Sequence, residues 1–354
     1  MRLRIEGSNG AVDVMNGVIA APSGSFDRRI VVRDGLLHPG LINAHDHLRM
    51  NHFGRLGVGL YANAYEWAAD IQQRYREVIA AGRKVPRRTA LLWGAWKNLL
   101  SGVTHVVHHD AWEPDFERDF PLHVVPIASA DSLGMTPELV QPRGELFALH
   151  LAEGIDAAAA GEVRTLATRD MLSPRLLAVH AVGPDADGVA RLRNSGCGVV
   201  WCPTSNHFLF GRTAPEALLA DGTDVLLGTD SLLTGQGDLL DELRAARGHV
   251  LSDTRLLDAV SGTAARRLGL PIPSLAVGAR ANLIVTRRPL LGASAGDIAL
   301  VMCAGVLRVL DPALLGDSGV TGGRILRRGE LCHWISETSP LPGEIVIQPA
   351  HRSA

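Results

Sequence analysis

Between residues 37 and 276, short apolar runs rich in Val, Ile and Leu alternate with longer helical patterns, and this alternation is what most restricts the fold. Runs at 40–44, 104–108, 123–128, 146–151, 176–181, 198–202 and 224–228 read as buried strands. Segments at 89–100, 188–194 and 214–220 read as helices. Strand and helix in alternation imply a parallel sheet with crossover helices. An eighth strand is expected between 128 and 146. That stretch, DSLGMTPELVQPRGE, is short and marked by Pro and Gly, so the wall of strands is expected to be irregular there. The ends differ. Residues 1–36 (RLRIEG, GVIAAP, RRIVVRDG) and 277–354 (ARANLIVTR, GVLRVL, GRILRRGEL) give short strands with Gly turns. The reading is an α/β chain. A (β/α)8 TIM-type barrel over 37–276, irregular at strand four, carries a small β-sandwich domain built from both termini.

The ends of the strands carry the chemistry. His45-Asp46-His47 directly follows the apolar run GLIN. Alternate residues of a strand face the same way, so both imidazoles can share one face at the strand's C-terminal end. His150 closes LFALH, with Glu153 three residues on; His180 closes LLAVH; Asp230 closes DVLLGTD. Each piece has a plain structural reading. A strand-end histidine can be a core residue, and an Asp or Glu after a strand can simply open the next helix. The combination is more specific than any member, because a barrel gathers its strand ends in space.

Composition excludes several classes. With 35 basic and 37 acidic residues the net charge is −2, so no field points to nucleic acid or an anionic membrane surface. The longest apolar stretch, 299–310, is broken by Arg308 and is too short to span a bilayer. The beginning, MRLRIEGSNGAV, lacks the apolar core of a signal peptide. Cys197, Cys202, Cys303 and Cys332 form no CxxC pair, so they read as ordinary reduced thiols. A cytoplasmic location is expected.

HPGLINAHDH resembles the first-strand PG-x-x-x-x-HxH signature of the amidohydrolase superfamily. HLAEG resembles the fifth-strand His-x-x-Glu of its mononuclear, deaminase-like branch, LLAVHAVG the sixth-strand histidine, VVWCPTSN the seventh-strand segment and DVLLGTDS the eighth-strand Gly-Thr-Asp. LLDAVSGTAARRLGL and VGARANLIV look like the terminal helix and the return into the β-domain. That branch includes guanine, cytosine and adenosylhomocysteine deaminases, triazine hydrolases and imidazolonepropionase. The resemblance implies His45, His47, His150 and Asp230 as ligands of one divalent metal, Zn2+ with Fe2+ as the alternative. It implies Glu153, His180 and Asp230 as the groups that do chemistry. The chain is shorter than is usual, and the missing length falls near strand four. Asn282 stands where Asp is usual in the return motif.

The implied reaction is hydrolytic deamination of an amino-heterocycle or amidine by water that the metal acidifies, with Glu153 moving protons and His180 holding the attacking oxygen or the substrate carbonyl. Hydrolysis of a cyclic or linear amide by the same site is the alternative, and a non-catalytic barrel relative is a third reading. Candidate substrate contacts are Arg49, His52, His109, Asn206, His207 and Ser231. Arg55, Tyr61 and Gln236 lie in the same loops, and Trp112, Trp201, Phe208 and Phe210 are the rings able to stack on a heterocycle. The partner expected is a small molecule rather than nucleic acid or membrane, with a homo-oligomer as a further expectation.

Overall fold

The structure, a computed structural model, describes residues 1–136, 138–140, 144–328, 331–336 and 339–341. Eight short strands run parallel. β1 (Leu41–Asp46), β2 (Val103–His108) and β3 (His123–Val125) form one sheet. The other contains β4 (Ala128–Ala130), β5 (Phe147–Leu151), β6 (Leu176–His180), β7 (Gly198–Trp201) and β8 (Val225–Leu227), paired in that order. The remaining strands are named by their residues.

Both faces of these strands are buried, which explains their continuous apolar character. One face packs Ile42, Ala44, Val107, Val125, Ala148, Leu177, Val179, Val200 and Leu226 together, with Ala264, Ala265 and Leu268 closing that cluster. The other face meets the crossover helices. Among these, α1 (Arg87–Leu99) brings Leu91, Leu92, Ala95 and Leu99, and α2 (Ala157–Thr168) brings Val163 and Leu166. Side-chain caps start several helices. Asp156 accepts from the Ala159 amide before α2, and Asp238 forms a capping box with Asp241 before α3 (Leu239–Ala246).

The expected third strand divides. His123–Val125 pairs with β2, whereas Ala128–Ala130 pairs with β5. Pro126, which has no amide proton, sits where the pairing changes sides. The fourth strand therefore lies at the very start of the 128–146 stretch, where the run read as the third strand ends, and residues 137 and 141–143 of that stretch lie outside the described residues. At the opposite edges, the amides of Thr229 and Asp230 both donate to the His45 carbonyl, at 2.9 and 3.1 Å. Gly228 makes this approach possible. A Cβ there would lie 2.6 Å from the His45 Cβ.

The termini form two sheets. Arg2–Gly7, Gly10–Met15, Val18–Ala20 and Arg28–Val31 make a four-stranded sheet. Leu36–Pro39 joins Leu283–Thr286, Ile298–Cys303, Val306–Leu310, Arg324–Arg328 and Leu331–Ile335 in a six-stranded one. Leu3, Ile5, Ile19 and Ile30 of the first pack on Leu37, Leu283, Val285 and Leu300 of the second. The strand Leu36–Pro39 thus straddles the boundary expected at residue 36. Residues 342–354 lie outside the described residues. Among the described residues no helix is long and apolar enough to cross a membrane.

Candidate metal centre

Five histidines converge at the C-terminal ends of the parallel strands. The His45 ring lies 5.0 Å from His47, 4.7 Å from His109, 5.1 Å from His150 and 5.5 Å from His180, centroid to centroid. His45, His47 and His150 each offer a nitrogen to a shared point, with the three atoms within 4.8 Å of one another. Asp230 Oδ1 stands 3.8 Å from Nε2 of both His45 and His47. The backbone bends to bring these groups in. β1 loses register with β2 between Asn43 and Asp46. His180 and Asp230 adopt left-handed φ values of 68° and 54°, which cost energy in non-glycine residues and recur at functional sites.

The hydrogen bonds fix tautomers. His47 Nδ1 faces Asp110 Oδ1 at 3.3 Å, so in the neutral ring the proton sits there and Nε2 is left with the lone pair. Asp110 Oδ2 also faces His108 Nε2 at 3.6 Å, because His108 Nδ1 accepts from the Leu48 amide. His180 Nδ1 donates to Asn206 Oδ1 at 2.8 Å, leaving Nε2 bare and directed at Glu153 Oε1, 3.6 Å away. Both nitrogens of His45, Nε2 of His150 and Nε2 of His180 are buried without a hydrogen-bond partner. Buried polar atoms are seldom left this way. Three imidazole lone pairs and a carboxylate oxygen around one point are a donor set that suits a divalent cation.

Electrostatics keep two of the three imidazoles neutral and hold the third protonated in the cation-free centre. Burial, reinforced by the neighbouring imidazoles, holds His45 and His150 well below the ordinary histidine range, so both stay neutral. Burial acts the same way on His47, but Asp110, Asp230 and Asp131 outweigh it and push this histidine up to about 10 in the cation-free centre. Burial disfavours a charged Asp230, yet His47, His180 and the hydroxyls of Thr234 and Ser205 prevail and keep it ionised. Those hydroxyls donate to Asp230 Oδ2 at 2.7 and 2.8 Å. Glu153, between His150 Nδ1 and His180 Nε2, is pushed well above the carboxylate range by burial and then by Asp230 and Glu162. It is a neutral acid with a proton to give.

The candidate substrate contacts separate. His109 is brought into the cluster. Its Nε2 bonds the Ala130 carbonyl at 2.9 Å, so Nδ1 is a bare, buried acceptor. With Asp131 and His150 it forms a second group of possible ligands. Yet its ring stacks on His150 at 4.2 Å and 9°, which puts the two sets of lone pairs in nearly parallel planes that no single cation meets well. Asn206 orients His180, and the Ser231 amide donates to Asp230 Oδ1. Three contacts are not brought in. Both His52 nitrogens are engaged by the carbonyls of Arg49 and Gly82, Arg49 is half-buried on the same turn, and His207 is exposed, 6.1 Å from His249. Arg55 lies over the Phe208 ring and donates to the Gly235 carbonyl. Of the remaining strand-two histidines, His105 stacks on His123.

Other residues escaped the sequence reading. Beneath the imidazoles, Lys97 Nζ reaches Asp46 Oδ2 at 3.0 Å, Thr229 Oγ1 at 2.9 Å and the Asp230 carbonyl at 2.8 Å. Asn98 donates to Asp46 Oδ2, Asn51 to Asp46 Oδ1, and Asn43 to Asn98 Oδ1 and Thr229 Oγ1. Lys97 and Asn98 sit in α1 with no local motif to mark them. Cys202 lies within ligand distance of His45 and His180, but burial pushes its thiol well up and keeps it protonated. Asp110, which the sequence offers with His105, His108 and His109 at the end of strand two as a pocket-lining or supporting group, faces His47.

Comparison with known proteins decides the family. The pattern of the Amidohydrolase family matches residues 103–308, more than half of the 354-residue chain. The chain belongs to the amidohydrolase family. Two curated proteins show the likeness in sequence. An aminodeoxyfutalosine deaminase of Deinococcus radiodurans is 43% identical over 75 residues, 21% of this chain and 18% of that protein. A 5-methylthioadenosine/S-adenosylhomocysteine deaminase of Teredinibacter turnerae is 34% identical over 135 residues, 34% of this chain and 30% of that one. These alignments span less than a third of either relative. Among solved structures, a zinc-bound adenosine deaminase from Xanthomonas campestris superposes with a TM-score of 0.68 at 21% identity, covering 88% of this chain and 94% of that one. The aminofutalosine deaminase of Helicobacter pylori, in complex with methylthio-coformycin, superposes at 0.58 and 16% identity, covering 86% and 99%. Likeness at these identities speaks to the fold.

Proposed function

We propose that this amidohydrolase removes ammonia hydrolytically from an amino-heterocycle of the adenosine type. The observation that carries the reading is the Glu153 carboxyl set between His150 and His180, beside converging lone pairs that have no protein partner. The deaminase names of the curated relatives favour the same chemistry. The likeness to the solved deaminases supports closure of β1–β8 into a TIM-type barrel, with the terminal sheets as a separate small domain.

In this reading His45, His47, His150 and Asp230 hold one divalent metal, Zn2+ or Fe2+, with Zn2+ favoured by the zinc-bound relative. Such a metal supplies Lewis acidity, which lowers the pKa of water towards neutrality. Glu153 delivers its proton to the ring nitrogen next to the amino-bearing carbon and then carries a proton to the departing amine, as a general acid and base must. His180, with its Nδ1 proton held by Asn206, meets the attacking water through a bare Nε2. It therefore accepts a hydrogen bond from that water; it does not donate to a developing oxyanion. Asp230, fixed by Ser205 and Thr234, stays ionised and faces the same water.

The test is ammonia release by zinc-loaded protein across adenosine-type nucleosides, free bases, pterins, triazines and amidines. Release from one class, lowered about 10³-fold by Glu153→Gln with one equivalent of zinc retained, is the expected result. Full metal occupancy with no release across the panel overturns deamination and brings hydrolysis of an amide forward. Failure to bind metal overturns the site assignment.

A further inference from the structure

The turn that carries Glu153 is anchored on both sides. Ala152, the residue before it, has a left-handed φ of 51°, a conformation that an alanine keeps only where its surroundings impose it. The Ala152 carbonyl accepts from the amides of Val182 and Gly183 at 3.1 and 2.9 Å, just beyond His180. The Ala152 amide donates to Glu162 Oε2 at 2.7 Å. The Glu153 carbonyl accepts from the Ala64 amide at 3.0 Å. Glu162 is a buried carboxyl in the middle of α2, and the proposed reaction makes no use of it. Its Oε1 is bonded by the hydroxyl of Tyr65. Tyr65 stands in the first turn of the helix Ala64–Arg74, and its oxygen also accepts from the Gly134 amide at 3.0 Å. The approach is close enough that a Cβ on Gly134 would lie 2.5 Å from the tyrosine ring. One phenol therefore ties together the segments that follow β1, β4 and β5.

We propose that Tyr65 and Glu162 are positioning residues for Glu153. Together they fix the Ala152 peptide, and with it the direction in which the Glu153 side chain leaves the turn. The inference rests on Glu153 being the acid of the proposed reaction, and it adds two groups that act through that acid. Without a bond to its amide, Ala152 is free to relax towards an ordinary backbone conformation. That rotation carries the Glu153 carboxyl away from His150 Nδ1 and His180 Nε2, each of which it now faces at 3.6 Å. The acceptor that prevents this is itself held, because the Tyr65 hydroxyl occupies the other Glu162 oxygen. A proton donor has to be placed to within a fraction of an ångström of its target, so the bracing acts on rate.

Tyr65→Phe, Glu162→Ala and Glu162→Gln test the assignment in the zinc-loaded protein, with a substrate that the wild type turns over and with kcat expressed per bound zinc. Glu162→Ala frees the Ala152 amide. It is expected to lower kcat about a hundredfold with KM changed less than about threefold, as a displacement of about 1 Å does. Tyr65→Phe leaves Glu162 one bond short and is expected to lower kcat about tenfold, the size of one lost hydrogen bond. Glu162→Gln keeps an oxygen for the Ala152 amide and turns its own amide to the Tyr65 oxygen, so it is expected to recover most of the activity. A purely structural brace would lower Tm and the share of protein that holds zinc, with kcat per bound zinc within about twofold of wild type. That result overturns the proposal, as does a Glu162→Gln no better than Glu162→Ala. Should Glu162→Ala fail to fold, Tyr65→Phe decides alone: a tenfold fall in kcat at unchanged KM sustains the proposal, and a change within twofold overturns it. If the wild type releases ammonia from none of the amino-heterocycles or amidines offered, deamination has failed, and amide exchange followed by NMR decides the anchoring separately. Exchange at Ala152 about tenfold faster in Tyr65→Phe sustains the anchoring of Glu153, and unchanged exchange overturns it.

Discussion

Two polar layers lie one above the other in this molecule, and they are built on opposite rules. In the lower layer Asn43, Asp46, Lys97, Asn98 and Thr229 are buried and mutually bonded: the three Lys97 contacts run to Asp46, Thr229 and the Asp230 carbonyl, and both Asp46 oxygens accept. In the upper layer both nitrogens of His45 and the Nε2 atoms of His150 and His180 are equally buried and have no hydrogen-bond partner in the protein. A buried polar group costs energy unless it is paired. The lower layer meets that cost internally and so becomes rigid. The upper layer leaves its lone pairs for a cation, and the lower one keeps them aimed by joining β1 to the turn that carries Asp230.

If that division holds, damage to the lower layer should act on the fold and damage to the upper layer on the ligand. The largest effect is expected for Lys97→Met. Losing one partner of a buried ion pair strands the other, so urea unfolding should show a loss of about 3–5 kcal/mol without metal. A loss under about 1 kcal/mol would mean that the lower layer does not brace the fold. The next effect belongs to the cation. Zinc at a hundred times its dissociation constant should add about 2.7 kcal/mol to the unfolding free energy, seen as a rise in Tm that a chelator reverses. No rise would deny that the upper layer is a metal site. Asp110→Asn removes the charge against His47 Nδ1, and zinc affinity should fall about 10–100-fold.

The last effect concerns a group outside both layers. Glu242 accepts from the Thr204 amide and hydroxyl in a fully buried position, and burial pushes it up to about 8. A carboxyl raised in the folded state binds its proton there while the unfolded chain has released it. Its contribution is therefore complete below about 4.5, is lost as pH rises towards 8, and is flat above. Glu242→Gln should flatten that decline in denaturation measured from pH 5 to 8. An unchanged slope would assign it to other groups.

Much of this was legible in one dimension, because the signals were local. Apolar runs fully buried on both faces announced parallel strands, and histidines or an aspartate closing those runs announced which side chains meet, since a strand end is a position in space as well as in sequence. His45, His47, His150, Glu153, His180 and Asp230 were found in this way. The β-strands of the termini were likewise visible as short runs between Gly turns.

What the tertiary structure decided was pairing. A run from His123 to Ala128 does not reveal that its start joins one sheet and its last residue opens a strand of another, because hydrogen-bond partners are distant in sequence. Nor does a helix show that Lys97 and Asn98 serve β1 and the Asp230 turn, more than a hundred residues from Thr229 in the case of Lys97. His109, His52 and His207 look alike as residues. Only their partners separate them: one carbonyl fixes the His109 tautomer and frees a lone pair, two carbonyls use up His52, and solvent takes His207. Residue type states which chemistry is possible; burial and hydrogen bonding, which exist only once the chain is packed, state which nitrogen is left to perform it.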